Sequence, residues 1–96
     1  MAKLTKSISA TSATYTQVTG VESGKTYQIQ ASGAENRWLY LIESDSTPSA
    51  TDESGFRLSC SFCSSNSMIY KPNDGYSLYV RVNEGSAALI IQEVLS

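Results

Sequence analysis

Histidine is absent from this chain of 96 residues. Because histidine is the usual general base near neutral pH and the commonest metal ligand, its absence argues against acid–base catalysis and against a metal centre. Clustered basic side chains are also absent, since seven lysines and arginines are scattered among nine acidic residues and the net charge is −2. We therefore expect no nucleic-acid partner, because binding to phosphates needs a basic patch.

Long apolar runs and targeting signals are lacking as well. No run approaches the ~20 apolar residues that cross a bilayer as a helix, so the sequence predicts no membrane partner. The first residues, MAKLTKSISATSAT, include lysines but no apolar stretch of the kind found in a secretory signal. The chain is therefore expected to be made in a reducing cytoplasm.

The two cysteines, Cys60 and Cys63, form a C-x-x-C motif within the letters GFRLSCSFCSSNS. A structural zinc site needs four nitrogen or sulfur ligands, which two cysteines without histidine do not supply. The motif lies in a strand pattern, where residues three apart point to opposite faces with Cα atoms roughly 10 Å apart. A disulfide needs Cα atoms within about 7 Å. We therefore expect no bridge, with Cys60 in the core and Cys63 on the opposite face.

The longest polar connection, SDSTPSATDES, lies between Glu43 and Gly55 and contains Asp45, Asp52 and Glu53. Calcium loops place oxygen ligands at regular intervals, and the spacing here is irregular, so a solvated surface loop is expected. The sequence also has no G-x-S-x-G motif and no visible base partner for its many serines. We predict no metal, no cofactor and no enzyme activity.

Short alternations of apolar and polar residues, separated by Gly, Asn, Asp and Ser, are abundant in the chain. They predict β-strands rather than helices. Seven or eight such strands predict an all-β fold, a single small antiparallel β-sandwich that is jelly-roll-like, with a small barrel as the alternative. Residues 1–13 are interpreted as an extended N-terminal arm or an edge strand, and residues 14–96 as the sandwich domain. The candidate core residues outside the C-terminal segment are Tyr27, Ile29, Ala31, Leu39, Leu41, Phe56, Leu58, Cys60 and Phe62.

The C-terminal segment Tyr76–Val94 is predicted to form a β-hairpin with Glu84-Gly85 as a two-residue turn. A one-residue slip would turn its apolar side chains outward, so turn and pattern together fix the register. The resulting pairs are Val82 with Ala87, Val80 with Leu89 and Leu78 with Ile91 on the apolar face, and Tyr79 with Ile90 on the other face.

The segment Arg37–Glu43 is apolar on both faces, with leucines on one and Trp38, Tyr40 and Ile42 on the other. Such a strand is covered on both sides, and the second cover comes either from another subunit or from a segment of the same chain. Tyr and Trp on an outer sheet face suit protein interfaces or sugar-stacking platforms, and otherwise serve cross-strand packing. The candidates for a protein interface are Trp38, Tyr40, Ile42, Tyr79 and Ile90.

Three stretches of the chain, VESGKTYQIQASG, RWLYLIESDSTPS and NDGYSLYVRVNEGSAALIIQEV, together resemble small β-sandwich proteins of tailed bacteriophage virions. The likeness lies in the order of parts and covers residues 20 to 94. It implies a non-enzymatic structural role in the virion, as a capsid decoration or cement protein made in the host cytoplasm. The expected partners are further copies of the chain, a trimer being favoured, and the phage major capsid protein or another virion protein. The alternative is a carbohydrate- or receptor-binding module of a phage tail or fibre.

Overall fold

The computed structural model describes residues 5–34, 36–60 and 67–94. These residues contain eight strands and no helix, which confirms the all-β prediction. The strands are β1 (Thr5–Thr11), β2 (Thr16–Gln17), β3 (Tyr27–Ser32), β4 (Trp38–Ser44), β5 (Phe56–Ser59), β6 (Ser67–Tyr70), β7 (Ser77–Val82) and β8 (Ser86–Glu93).

The strands form two antiparallel sheets that enclose a common core. Sheet A has the strand order β1-β8-β3-β6, and sheet B has the order β2-β7-β4-β5. Among the described strands, β4 and β5 are the only consecutive pair within one sheet, so the chain passes repeatedly from one sheet to the other. This interleaved order is that of a jelly roll, which confirms the predicted sandwich rather than the barrel.

The core follows the alternation of the strands. In β3, Tyr27, Ile29 and Ala31 are buried while the glutamines between them are exposed, as predicted. Removing a large apolar side chain from water contributes about 1.5–3 kcal/mol, so the buried sets dominate the stability of this small domain. The largest fully buried side chains come from both sheets and are Ile29, Leu39, Leu41, Val80, Val82, Leu89 and Ile91.

The predicted C-terminal hairpin is wrong, because β7 belongs to sheet B and β8 to sheet A. Val80 is paired with Leu41 and Thr16 in sheet B, and Leu89 with Ile8 and Ala31 in sheet A. The apolar faces of β7 and β8 are both buried, as expected, but they belong to opposite sheets and face the core from opposite sides. Alternation shows which face of a strand is buried and does not show whether two buried faces lie side by side or across a core.

The crossing between the sheets is fixed at Asn83–Gly85. The Asn83 side-chain oxygen accepts a hydrogen bond from the Trp38 amide at 2.9 Å, and the Asn83 amide donates to the Trp38 carbonyl at 3.1 Å. Two residues later Gly85 has φ of 65°. This left-handed conformation favours glycine, whereas the nearest atoms to a Cβ there belong to the end of the flexible Arg37 side chain, which could move aside. The turn therefore ends sheet B and directs the chain into sheet A.

Three further expectations concern single segments. Residues 5–11 of the N-terminal segment form an edge strand of sheet A.

Cys60 is buried in the core, and burial raises the pKa of its thiol. Cys63 and Phe62, and with them the question of a disulfide, lie outside the described residues. Phe56 pairs with Leu41 and shares its inward side, yet it is 70 % exposed at the open edge of sheet B, so its prediction as a core residue is wrong.

Candidate interaction surfaces

The outer face of sheet B is organised around a buried arginine. Arg81, at the middle of β7, is only 6 % exposed. Its Cζ atom lies 4.9 Å from the Tyr40 ring centre and 5.5 Å from the Tyr15 ring centre. Nη2 lies 3.2 Å from a Glu53 carboxylate oxygen, and Nη1 donates a hydrogen bond to the Ser12 carbonyl at 3.3 Å. A buried charge is tolerated when it is paired and hydrogen-bonded in this way.

The connection from β4 to β5, residues 45–55, lies against this face. We call it the acidic loop. The Tyr15 hydroxyl donates a hydrogen bond to the Asp52 carbonyl, and Glu53 pairs with Arg81. At the end of the loop, a Cβ atom on Gly55 would overlap the Leu41 carbonyl oxygen, so glycine allows the chain to approach β4 closely where β5 begins. The second cover of the doubly apolar strand is therefore supplied, at least in part, by the chain itself.

Hydrogen bonds within the acidic loop hold its shape. The Asp52 carboxylate accepts hydrogen bonds from the Ser54 amide at 3.0 Å and from the Ser54 hydroxyl at 2.6 Å. These two bonds favour the ionised form and lower the pKa of Asp52 below its ordinary value. The loop is therefore ordered best when this carboxyl group is charged.

Four of the five predicted interface residues share the outer face of sheet B. Tyr40 and Tyr79 are only 6 % and 7 % exposed, and they form a cluster with Tyr15. Trp38 and Ile42 pack against that cluster and remain partly exposed. The two tyrosines thus have little surface to offer a partner while the acidic loop is in place.

Trp38 already has contacts on its ring. The Arg57 guanidinium lies 4.6 Å from the Trp38 ring centre, and Tyr40 approaches with an interplanar angle of 78° in an edge-to-face contact. The Trp38 Nε1 atom is buried and has no hydrogen-bond partner among the described residues. A sugar ring that stacked on Trp38 would have to displace Arg57 if it approached from the same side.

The outer face of sheet A has a different composition. In sheet A, the alternate residues that point away from the core lie opposite one another on neighbouring strands. Every one of these outward side chains is uncharged. We call this surface the uncharged face. It comprises Thr5, Ser7, Ser9, Thr11, Gln28, Gln30, Ser32, Ser67, Ile69, Ser86, Ala88, Ile90 and Gln92.

Ile90, the fifth predicted interface residue, lies near the centre of the uncharged face. It is paired with Ser7 on one side and Gln30 on the other. The predicted pairing of Tyr79 with Ile90 is wrong, since the two residues lie on opposite outer faces of the sandwich. At the edge of the same face Ile69 is 54 % exposed. Both isoleucines therefore expose apolar surface among uncharged serine, threonine and glutamine side chains.

Burial of the uncharged face against a partner would desolvate no charge. The cores of protein interfaces are depleted of charged residues for this reason. Serine, threonine and glutamine side chains also offer hydrogen-bond donors and acceptors to a partner. The uncharged face thus shares with interface cores the lack of charge, but it lacks their aromatic side chains and is rich in serine.

Sequence reasoning missed two of these features. Arg81 occupies an outward position in YVRV, where an arginine is usually exposed, so the alternation did not indicate its burial. In β1 (TKSISAT) and β3 (YQIQAS), every second residue is an uncharged Ser, Thr or Gln that points away from the core. Their common surface became apparent only once both strands were placed in one sheet.

Comparisons of the chain with protein-family models, curated proteins and solved structures gave no significant match. Within residues 5–34, 36–60 and 67–94, no three acidic or cysteine side chains lie close enough to share a metal ion. The same residues contain no helix of the length and hydropathy needed to cross a membrane. The chemistry of the two outer faces is therefore the basis for proposing a function.

Proposed function

We propose that this protein is a non-enzymatic structural protein of a bacteriophage virion, and that it decorates the capsid by docking through the uncharged face. The observation that carries the proposal is a four-stranded surface, open to solvent, on which none of the described strand residues is ionisable. The resemblance to small virion β-sandwiches supports it, and jelly rolls are common among viral capsid domains. Because a fold alone does not define a function, the surface is the main support.

The dimensions of the uncharged face favour several copies acting together. Strands about 4.8 Å apart, with a rise of about 3.3 Å per residue, give this face a projected area of roughly 400 Å². A stable interface usually buries about 800 Å² of accessible surface on each partner, a measure that exceeds the projected area of the same patch. The uncharged face is therefore at the small end for a single contact, and linked copies would gain affinity because the second contact becomes intramolecular. This supports a homo-oligomer, with a trimer favoured by the resemblance.

The proposed mechanism is stabilisation of the assembled shell. A protein that binds assembled capsid better than free capsid subunits shifts the equilibrium towards the shell by mass action. At a free concentration of 100 times Kd this contributes about 2.7 kcal/mol for each independent site. No catalytic group is needed. The partner would be the major capsid protein, presenting a neutral surface that matches the uncharged face.

The proposal is tested by mixing the purified protein with undecorated capsids. We expect binding at stoichiometric amounts and a higher temperature of capsid disruption in calorimetry. Gln30→Lys places a charge within the uncharged face and should weaken binding at least about tenfold, since a buried unpaired charge costs well over 1.4 kcal/mol.

Gln17→Lys is the matched control, because Gln17 is exposed on sheet B and the same substitution there leaves the uncharged face unaltered. It should bind capsids as the wild type does. Absence of wild-type binding, or equal binding by both variants, would contradict docking through sheet A.

A carbohydrate- or receptor-binding module of a tail or fibre is the second proposal. The partly exposed Trp38 ring, next to the exposed Arg57, is the observation that supports it. Glycan arrays and binding to host cells test this proposal, with Trp38→Ala as the decisive variant. Silent arrays together with unchanged cell binding by the variant would count against it.

A further inference from the structure

The edges of the two sheets leave an apolar cavity between β5 and β6. Its volume is about 130 Å³. Side chains from both sheets line it, including Ile29, Leu41, Leu78, Met68, Tyr70 and Phe56. The cavity therefore extends from the open edge of the sandwich to the main core.

Phe56 shows that the described residues leave the space open to solvent. It pairs with Leu41 and so lies on the inward side of sheet B, but its side chain is 70 % exposed. An inward position would normally be filled by such a ring. Here the ring stands at the mouth of the cavity, and the atoms that line the space lack the contacts that close packing would provide.

The charged groups near the cavity do not call for a charged ligand. The Glu43 carboxylate accepts hydrogen bonds from the Tyr70 hydroxyl at 2.8 Å, from the Asn73 amide at 3.1 Å and from Asn73 Nδ2 at 2.6 Å. Its charge is thus stabilised by the protein. Lys71, which also borders the cavity, is an exposed residue of opposite charge. The remaining lining is mainly apolar, which favours a neutral occupant.

We propose that this cavity binds one small, uncharged, apolar molecule of about the size of a benzene ring. An enclosed apolar cavity of about 150 Å³ takes up benzene. The present cavity has a volume of about 130 Å³ and is lined mainly by apolar side chains, with Tyr70, Glu43 and Lys71 also bordering it, and it is open to solvent at one side. This inference does not depend on the virion proposal, because the cavity lies at the sheet edges and not on the uncharged face.

Benzene itself is the probe. Titration of benzene into the 15N-labelled protein should give saturable amide shifts centred on β4, β6 and Leu78, and a higher Tm. Naphthalene is too large to be enclosed by the cavity, so part of it would remain in solvent, and it should bind at least about tenfold more weakly than benzene. Absence of saturable shifts up to the solubility limit of benzene, or equal binding of naphthalene, would overturn the proposal.

Adjacent residues of β6 provide matched variants. Met68 borders the cavity, whereas its neighbour Ile69 points to the outer side of sheet A. Met68→Trp fills the space and should weaken benzene binding at least about tenfold, while Ile69→Trp should leave it unchanged. Equal affinities in the two folded variants would refute the assignment. If Met68→Trp does not fold, the comparison of benzene with naphthalene on the wild type decides the question.

Discussion

The two outer faces of this sandwich differ in how they meet solvent. Sheet B carries aromatic rings, a buried Arg81 and an acidic loop from the same chain that covers part of the face. Sheet A carries neutral side chains and has no comparable cover among the described residues. The comparison shows that aromatic residues on an outer sheet face can belong to internal packing, so their presence alone does not identify a partner surface.

The largest expected contrast is between two residues that the sequence predicts to be neighbours. Tyr79→Ala removes a buried ring from the sheet B cluster and should lower the free energy of unfolding by about 4 kcal/mol. Ile90→Ala, on the half-buried opposite face, should cost about 1 kcal/mol. Urea denaturation measures both. Equal losses in the free energy of unfolding would show that the Tyr79 and Ile90 side chains are equally buried, and would contradict the difference between the two faces.

Gly55→Ala tests the contact of the acidic loop with β4. The new methyl group would overlap the Leu41 carbonyl oxygen and lie 2.6 Å from Ile42 Cγ1. The required movement should cost about 3 kcal/mol in the free energy of unfolding. Gly24→Ala is the control, because Gly24 has φ of 86° but no atom within 4 Å, and it should cost about 1 kcal/mol from backbone strain alone. A smaller loss for Gly55→Ala than for the control would contradict the close approach.

Arg81→Met should lower the free energy of unfolding by about 2 kcal/mol, since it removes a desolvated cation from two rings and from Glu53. Arg57→Met removes an exposed cation from Trp38 and Tyr40 and should cost about 0.5 kcal/mol. Limited proteolysis within the acidic loop should become faster in the first variant only. Unchanged proteolysis in Arg81→Met would show that Arg81 does not hold the loop.

Acid should affect the two faces unequally. The hydrogen bonds from Ser54 lower the pKa of Asp52 in the folded protein below its ordinary value. The associated stability is present above the unfolded pKa and is lost as pH falls through the folded value. Hydrogen exchange in the acidic loop should therefore rise more steeply below pH 4 in the wild type than in Asp52→Asn, with no such difference in sheet A. An equal pH dependence in the two proteins would refute this contribution.

The sequence was sufficient for local features of the fold. The alternation of apolar and polar residues in β3 identified Tyr27, Ile29 and Ala31 as inward residues, because the direction of these side chains depends on the sequence of that strand alone. It failed for the pairing of β7 with β8, since an apolar face is equally well buried beside a neighbour or across a core. The uncharged face was missed for the same reason, because it joins four strands that are distant in sequence.

Phe56 and Arg81 show why patterns also fail for single residues. Phe56 occupies an inward position in the alternation of β5. It is nevertheless the first residue of a short edge strand, where no described side chain covers it. Arg81 has the parity of an outer residue and is nevertheless buried, because Tyr15, Tyr40 and the acidic loop surround it. In both cases the exposure depends on segments far along the chain, which alternation within one strand does not describe.

Hydroxyl-radical labelling of the protein, free and bound to undecorated capsids, tests the central claim most directly. Labelling of Ile69 and Ile90 reports on the uncharged face, while labelling of Trp38 and Phe56 reports on sheet B. We predict that binding protects the two isoleucines and leaves the labelling of Trp38 and Phe56 unchanged. Protection of Trp38 with continued labelling of Ile69 and Ile90 would contradict docking through sheet A.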